Sequence, residues 1–420
     1  MKISLDKTIR AMAIALDLAE ISSVKNSTII EDISNINFSK HNYLNHSKRT
    51  AYISLKLGAQ LNLPEIFMKE LYISSLLHDI GASNFLKESH MTNTFILDHC
   101  KNGSNIIANF PVFSNISPVI LYHHENFDGS GAMGLKGDEI PLASQIIRLS
   151  DLVELLYNED EPSYKQRNKI TSWIELNSNS IFSENLVNTF LSIAEKDIFW
   201  FDIENISFMD FILDNISPKL DIYLDLYEFE KIAYILASII DNKSSFTAKH
   251  SRGIANLAWM VSNHMKYPKE KCLEMKIAGL LHDIGKLAIP NSILDKPGEL
   301  TKNEFSIIKS HVYYTKIILD RIEDISNISD WASNHHEKLN STGYPRKLDN
   351  FTLCEEAKIL CVCDIYQALI EDRPYRKGLD RPMAFSIMDG MIGEGLICKD
   401  SVKQLRDTLE QYDFNTTYEK

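Results

Sequence analysis

The hexapeptide LLHDIG stands twice in this chain of 420 residues, at 76–81 and again at 280–285. No other feature constrains the fold as much, because a chain that repeats itself over that distance folds as two like units. Further echoes keep the register. The triplet HHE stands at 123–125 and 335–337, and His-Ser with an arginine close behind stands at His46 and His250. His46 to His250 and His78 to His282 both span 204 positions, His99 to His311 and His123 to His335 span 212, and Asp151 to Asp364 spans 213. One insertion of eight residues in the second copy, between the HD pair and the next histidine, accounts for the main jump.

The apolar positions follow the same register. Ile53, Leu57 and Leu61 share one helical face, and their partners are Leu257, Val261 and Met265; Ile146 and Leu149 pair with Ile359 and Val362. Spacings of four within long apolar runs predict α-helix. The chain has only 16 glycines and 12 prolines, which argues against a glycine-rich α/β nucleotide fold. The expected fold class is all-α, as two tandem helical domains, 1–222 and 223–420. The connection is expected near 215–225, with Ser217-Pro218 at its start because a residue before proline is biased away from helix.

A formal net charge of -13 excludes a generic basic surface, so no DNA or RNA partner is expected. A phosphate-bearing ligand would need a local positive site, which metal ions could supply. No run of 18 apolar residues occurs, so no membrane span is expected. The N-terminal MKISLDKTIRAMAIALDLAE carries Asp6, Lys7, Arg10 and Asp17 through its apolar stretch; it reads as an amphipathic helix and not a signal peptide. The six cysteines are scattered without a CxxC pair, which predicts free thiols in a reducing, cytoplasmic setting. A homodimer is left open.

The recurring residues carry the chemistry. In the second copy they are His250, His282, Asp283, His311, His335, His336 and Asp364. Imidazole and carboxylate suit iron, manganese, zinc and similar ions. An adjacent His-Asp pair on a helix fans its side chains by about 100°, and Asp283 has two oxygens with which to bridge two ions. Two ions roughly 3.5–4 Å apart can clamp a phosphate. A single histidine is more often a packed or surface residue. A set of seven that recurs at near-constant spacing predicts a metal site in the second copy. It also marks a second possible one in the first copy, at His46, His78, Asp79, His99, His123, His124 and Asp151.

The second copy resembles the HD-GYP phosphohydrolases of the HD superfamily. The resemblance lies in FTAKHSR (246–252), LLHDIGKLAIPNSILDKPGELT (280–301), His311, HHEKLNSTGYP (335–345) and DIYQALIEDRPYRKG (364–378). It implies two HD-type all-α domains, a two- or three-metal site, and hydrolysis of cyclic di-GMP to the linear dinucleotide or GMP. Some members of the family prefer cyclic GMP-AMP. Carried over by motif, the seven residues of the second copy become metal ligands for two divalent ions, iron or manganese. Members with a third metal have a glutamate four residues before the first histidine; Phe246 stands there, which points to two. Asp283 and Lys286 are then the catalytic pair, with Lys286 facing the scissile phosphate. Lys296, Tyr344, Arg373 and Arg376 become substrate contacts, since a guanidinium fork suits phosphate. Gly343 is expected to supply a backbone conformation that other residues resist. The usual DGxGYP is NSTGYP here.

The first copy departs further. Ala82 replaces the lysine after HDIG, GYP becomes Gly131-Ala132-Met133, and an acidic LVELLYNEDEPSYK follows Asp151 in place of DRPYR. It keeps the ligand set and has lost most anion-binding groups. The expectation is a regulatory or scaffolding first domain beside a metal-dependent phosphodiesterase that hydrolyses cyclic di-GMP to the linear dinucleotide or GMP. The alternatives are a metal-containing sensor without turnover, or an HD phosphohydrolase acting on another nucleotide such as cyclic GMP-AMP.

Overall fold

A computed structural model describes residues 1–24, 44–82, 93–243, 250–372 and 377–418. Helices dominate them, and the one described sheet is a pair of two-residue strands, with Ile3 opposite Leu224 and Ser4 opposite Tyr223. The fold is all-α, as the periodicity predicts. The chain divides into two compact units. One is Met12–Ile222, and the other is Tyr223–Lys420 together with Met1–Ala11.

The helices of the two units follow one plan. In the first, His46–Gln60 packs on Glu65–Leu77 and Leu142–Leu156. In the second, His250–His264 packs on Lys269–Leu281 and Glu355–Ile370. Proline sets two starts at equivalent places, Pro64 before Glu65 and Pro268 before Lys269, where its fixed φ suits helix entry. Thr301 caps Lys302–Leu319 in a box with Glu304, and Asp380 caps Arg381–Gly393 by accepting from the Met383 amide; both satisfy amides that a helix start leaves open. Ile53, Leu57, Leu257 and Val261 are buried as expected, while Leu61 and Met265 lie just past their helix ends.

The helix Leu5–Val24 is not the one-faced amphipathic element read from its charges. It is buried almost all round. Its polar groups are accommodated one by one: Arg10 pairs with Asp6 at 3.1 Å, and Asp17 accepts from the Ser47 hydroxyl at 2.6 Å. None of the six cysteines forms a disulfide. No described helix is long and apolar enough to cross a membrane.

Candidate metal centres

The two HD pairs do not fan out from a helix flank. Each sits where a helix ends. Lys269–Leu281 stops at His282, and Asp283 turns the chain into the 3-10 segment Ile284–Ala288. Glu65–Leu77 stops at His78 in the same way. His335 and His336 follow the end of Ser326–Ser333. Helix C-termini present carbonyl oxygens and a partial negative charge, which favours a cation. His250 opens its helix, while His311 and Asp364 project from within Lys302–Leu319 and Glu355–Ile370.

These elements bring the seven residues of the second copy together. Asp283 is the hub: its Oδ2 lies 3.0 Å from His282 Nε2, and its Oδ1 lies 3.4 Å from His311 Nε2 and 3.9 Å from His335 Nε2. Asp364 Oδ1 lies 3.3 Å from His250 Nε2. The His336 ring lies 4.0 Å from that of His335, tilted against it, and 5.1 Å from that of His311, edge-on. His250, His282 and Asp283 form one group whose donor atoms lie within 4.8 Å of one another, and His311, His335 and His336 form another.

Tautomers settle which atoms face inward. His282, His311 and His335 each donate Nδ1–H to the carbonyl three residues back, Gly279, Ile308 and Ala332, at 2.8, 2.6 and 2.6 Å. A neutral ring with its proton on Nδ1 leaves Nε2 as a bare lone pair. Those three Nε2 atoms and Asp283 Oδ1 are buried with no hydrogen-bond partner. Buried polar atoms are rarely left so. Bonds of about 2.1 Å to a common ion would place neighbouring ligands roughly 3–3.5 Å apart, close to the 3.0 and 3.4 Å seen around Asp283. The donors therefore fit divalent metal, and the orphaned atoms are its signature.

Electrostatics agree. Burial pushes His311 down to about 4 and His335 down to about 3, the latter with help from His282. Burial opposes ionisation of Asp283, but His282 and Lys286 outweigh it and hold the carboxyl well below its usual range. Burial also opposes charge on His250, yet hydrogen bonds to Asp364 and Glu371 lift it to about 9. A histidine whose folded pKa is depressed binds its proton more readily in the unfolded chain, so it stabilises the fold less as pH falls. The metal-stripped chain is expected to lose stability steadily between pH 6.5 and 4 through His311, His335 and the similarly buried His123, held at about 4. Denaturant midpoints in chelator at pH 7, 5.5 and 4.5 test this; midpoints that hold level or rise on acidification contradict it.

Lys286 places Nζ 2.5 Å from Asp283 Oδ2. Tyr344 lays its half-buried ring 4.9 Å from that of His336 and 6.2 Å from that of Phe305. Lys296 is tied elsewhere, with Nζ 2.6 Å from Glu304 Oε2. Arg373, Arg376 and Phe246 lie outside the described residues. Gly343 does not have the positive φ expected of it; Ser341 and Lys347 do, at 63° and 56°. A Cβ on Gly343 would stand 2.3 Å from the Lys338 nitrogen, so close packing demands glycine there.

Several residues that position the site carry no motif of their own. Glu371 Oε2 lies 2.9 Å from His250 Nδ1, and Glu154 Oε2 lies 2.5 Å from His46 Nδ1. Glu371 stands seven positions after Asp364, whereas Glu154 stands three positions after Asp151, so the repeat register hides the pairing. The glutamate of HHE is a loop clamp. Glu337 accepts from the amides of Arg346 and Leu348 at 2.6 and 2.9 Å, and Glu125 from those of Met133 and Leu135 at 2.8 Å each. The recurrence of HHE was the available signal for it.

The first copy assembles its set as well. Asp79 Oδ2 lies 3.0 Å from His78 Nε2 and 3.4 Å from His46 Nε2, and its Oδ1 lies 3.1 Å from His99 Nε2. His123 Nε2 is 3.8 Å from Asp79 Oδ1, and Asp151 Oδ1 is 3.5 Å from His46 Nε2. The His124 ring is 4.0 Å from that of His123.

A helical shell around paired His/Asp nests, built twice, defines the class. Residues 32–180 and 234–397 match the family model of the HD domain, and the chain belongs to that family. Within it the chain is a tandem member of HD-GYP type, as its motifs indicate. It is 30% identical over 359 residues to 3′3′-cGAMP-specific phosphodiesterase 1 of Vibrio cholerae, covering 82% of each chain. It is 25% identical over 399 residues to 3′3′-cGAMP-specific phosphodiesterase 3 of the same organism, covering 82% of this chain and 86% of that one. A cyclic di-GMP phosphodiesterase of Pseudomonas aeruginosa is 37% identical over 146 residues, or 34% of this chain and 35% of its own. Among solved structures, a cyclic GMP-AMP phosphodiesterase of V. cholerae, V-cGAP3, superposes with a TM-score of 0.69 at 22% identity over 98% of both chains, which shows the shared fold.

Proposed function

We propose that the C-terminal domain hydrolyses a phosphodiester of a cyclic dinucleotide, with 3′3′-cGAMP as the substrate in place of the cyclic di-GMP first suggested by the motifs. The observation that carries the reaction is the convergence of four partnerless buried donor atoms, on His282, His311, His335 and Asp283, beside the ammonium of Lys286. Support for the substrate comes from relatives: those named for 3′3′-cGAMP align along most of this chain, whereas the P. aeruginosa cyclic di-GMP phosphodiesterase aligns along a third.

His250, His282, Asp283, His311, His335, His336 and Asp364 would hold two divalent ions, manganese or iron. Such ions supply Lewis acidity and a more acidic water. The chain's own groups do the rest. Buried histidines with fixed tautomers keep their lone pairs aimed at the centre without reorganisation. Lys286, freed from Asp283 by competing positive charge, would meet a non-bridging phosphate oxygen and stabilise the negative charge that builds on it. The Glu337 clamp holds the loop that carries Tyr344, which would shape the pocket beside His336. Arg373 and Arg376 complete the anion site in this reading, and the pairing of Lys296 with Glu304 makes it the weakest contributor. The N-terminal domain, with Ala82 where Lys286 stands, is a regulatory or scaffolding module.

Purified full-length chain with Mn(II), given 3′3′-cGAMP and cyclic di-GMP in parallel, tests both parts. Linear product from both, with 3′3′-cGAMP consumed about tenfold faster, is expected. Equal rates or a cyclic di-GMP preference would overturn the substrate, and no product from either would overturn the reaction.

A further inference from the structure

The N-terminal nest differs from its counterpart at both ends. Near Asp79 it has gained a carboxylate. Glu20, on the helix Leu5–Val24, is 7% exposed and lies against Asp79 and His46, and its Oε2 is buried with no hydrogen-bond partner. The second copy has no acid in register. Asp17 accepts from Ser47 just as Asp241 accepts from Ser251, at 2.6 and 2.9 Å; three residues past Asp17 is Glu20, and three past Asp241 is Ser244. The lysine that meets Asp283 is Ala82 here. An acid has arrived where a cation has gone.

The far end has gained a cation. Arg148 is 6% exposed, and its guanidinium lies 3.2 Å from His124 Nδ1 and 3.3 Å from Asn126 Oδ1. Arginine only donates. Nδ1 of His124 is therefore the acceptor, and the ring's single proton sits on Nε2, the reverse of His282, His311 and His335. His99, Cys100, His123 and His124 gather within 4.8 Å. Even so, His123 Nδ1 is bound to Ile120 O at 2.6 Å, and burial pushes the Cys100 thiol up to about 12. At the place of Arg148 the second copy has Cys361, and the nearby Lys338 Nζ contacts its Sγ at 3.8 Å instead of a ring nitrogen of His336.

We propose that the N-terminal nest is a one-ion site: His46, His78, Asp79, Asp151 and Glu20 hold a single divalent cation, and the Arg148 guanidinium takes the place of a second. Three carboxylates around one dication leave the Asp79 end of the nest negative, so that end retains its ion and repels a phosphodiester, while Arg148 supplies the positive charge at the His124 end. Fixed charge replaces exchangeable charge at one pole, and an anionic ligand replaces the phosphate-facing lysine at the other.

The test uses full-length chain carrying His282→Ala with Asp283→Asn, which disables the C-terminal nest, loaded with Mn(II) and desalted. Elemental analysis is expected to give one manganese per chain, with the six-line electron paramagnetic resonance spectrum of an isolated ion. Two ions, an exchange-coupled pair, or none would overturn the proposal. Adding Glu20→Gln should weaken binding tenfold or more, and Glu20→Asp should recover part of that loss, which a folding defect would not; unchanged affinity in Glu20→Gln removes Glu20 from the site. Adding Arg148→Gln should raise the count to two, and a count that stays at one removes Arg148 from its role. Circular dichroism checks that each variant is folded. Hydrolysis is not the readout, so this outcome stands apart from that of the C-terminal reaction.

Discussion

Asp283→Asn is expected to lower phosphodiester hydrolysis by about a thousandfold, the scale of losing a preorganised charge in a dry site, while the far-ultraviolet circular dichroism of the full chain stays unchanged. The substitution keeps the side chain's volume, so no cavity opens. It removes the charge shared by His282, His311, His335 and Lys286, whose polar atoms lie 2.5–3.9 Å from the Asp283 oxygens. Metal content should fall with activity. The equivalent Asp79→Asn in the N-terminal nest should leave the hydrolytic step largely intact if that domain only regulates or supports. Near-normal turnover in Asp283→Asn would end the case for a metal-centred hydrolase.

Gly285→Ala is expected to be nearly as damaging, through packing alone. A Cβ there would stand 1.9 Å from the carbonyl oxygen of His311 and 2.5 Å from the Thr315 nitrogen. Both are backbone atoms, so the helix Lys302–Leu319 has to retreat and carry His311 with it. The Gly285 amide, bound to Thr315 Oγ1 at 3.0 Å, and that hydroxyl's bond to His282 O at 3.0 Å, would be strained together. Overpacking of this kind costs about 3 kcal/mol, and a shift of about 1 Å at a ligand costs about a hundredfold in rate. Gly81 repeats the arrangement in the first copy, 2.1 Å from His99 O and 2.5 Å from Gly103 N. Gly81→Ala should therefore lower thermal stability about as much and leave the catalytic constant largely intact. Measuring both variants by thermal melt and turnover separates the nests; equal loss of turnover in the two would refute a division of labour.

The sequence exposes whatever is repeated. LLHDIG, HHE and the distant aspartates fixed the register, and that register brought seven side chains per copy into one nest. It also carried the all-α class, because spacings of four persist through both copies. Residues that act singly stay hidden. Glu371 and Glu154 do the same job from different turns, so alignment by register separates them. Glu20 and Arg148 occur in one copy only, and by type each reads as a surface charge. The helix Leu5–Val24 looked amphipathic because charge count says nothing about pairing; Asp17 is buried because Ser47 meets it. Gly343 shows a different limit. A sequence announces that glycine is present, not whether torsion or clearance requires it.

The first strand pair has a practical meaning. Ile3 and Ser4 are made before the whole of Met12–Ile222, yet the segment they bond to, Tyr223–Leu224, emerges more than two hundred residues later. The unit that carries the second nest thus owns Met1–Ala11 as well and cannot close its edge until Met12–Ile222 has been synthesised. Cutting the gene at codon 223 would hand that edge to the wrong fragment, so an excised 223–420 piece starts with an open ladder and a missing first turn, whereas fusing Met1–Ala11 ahead of it restores the whole unit.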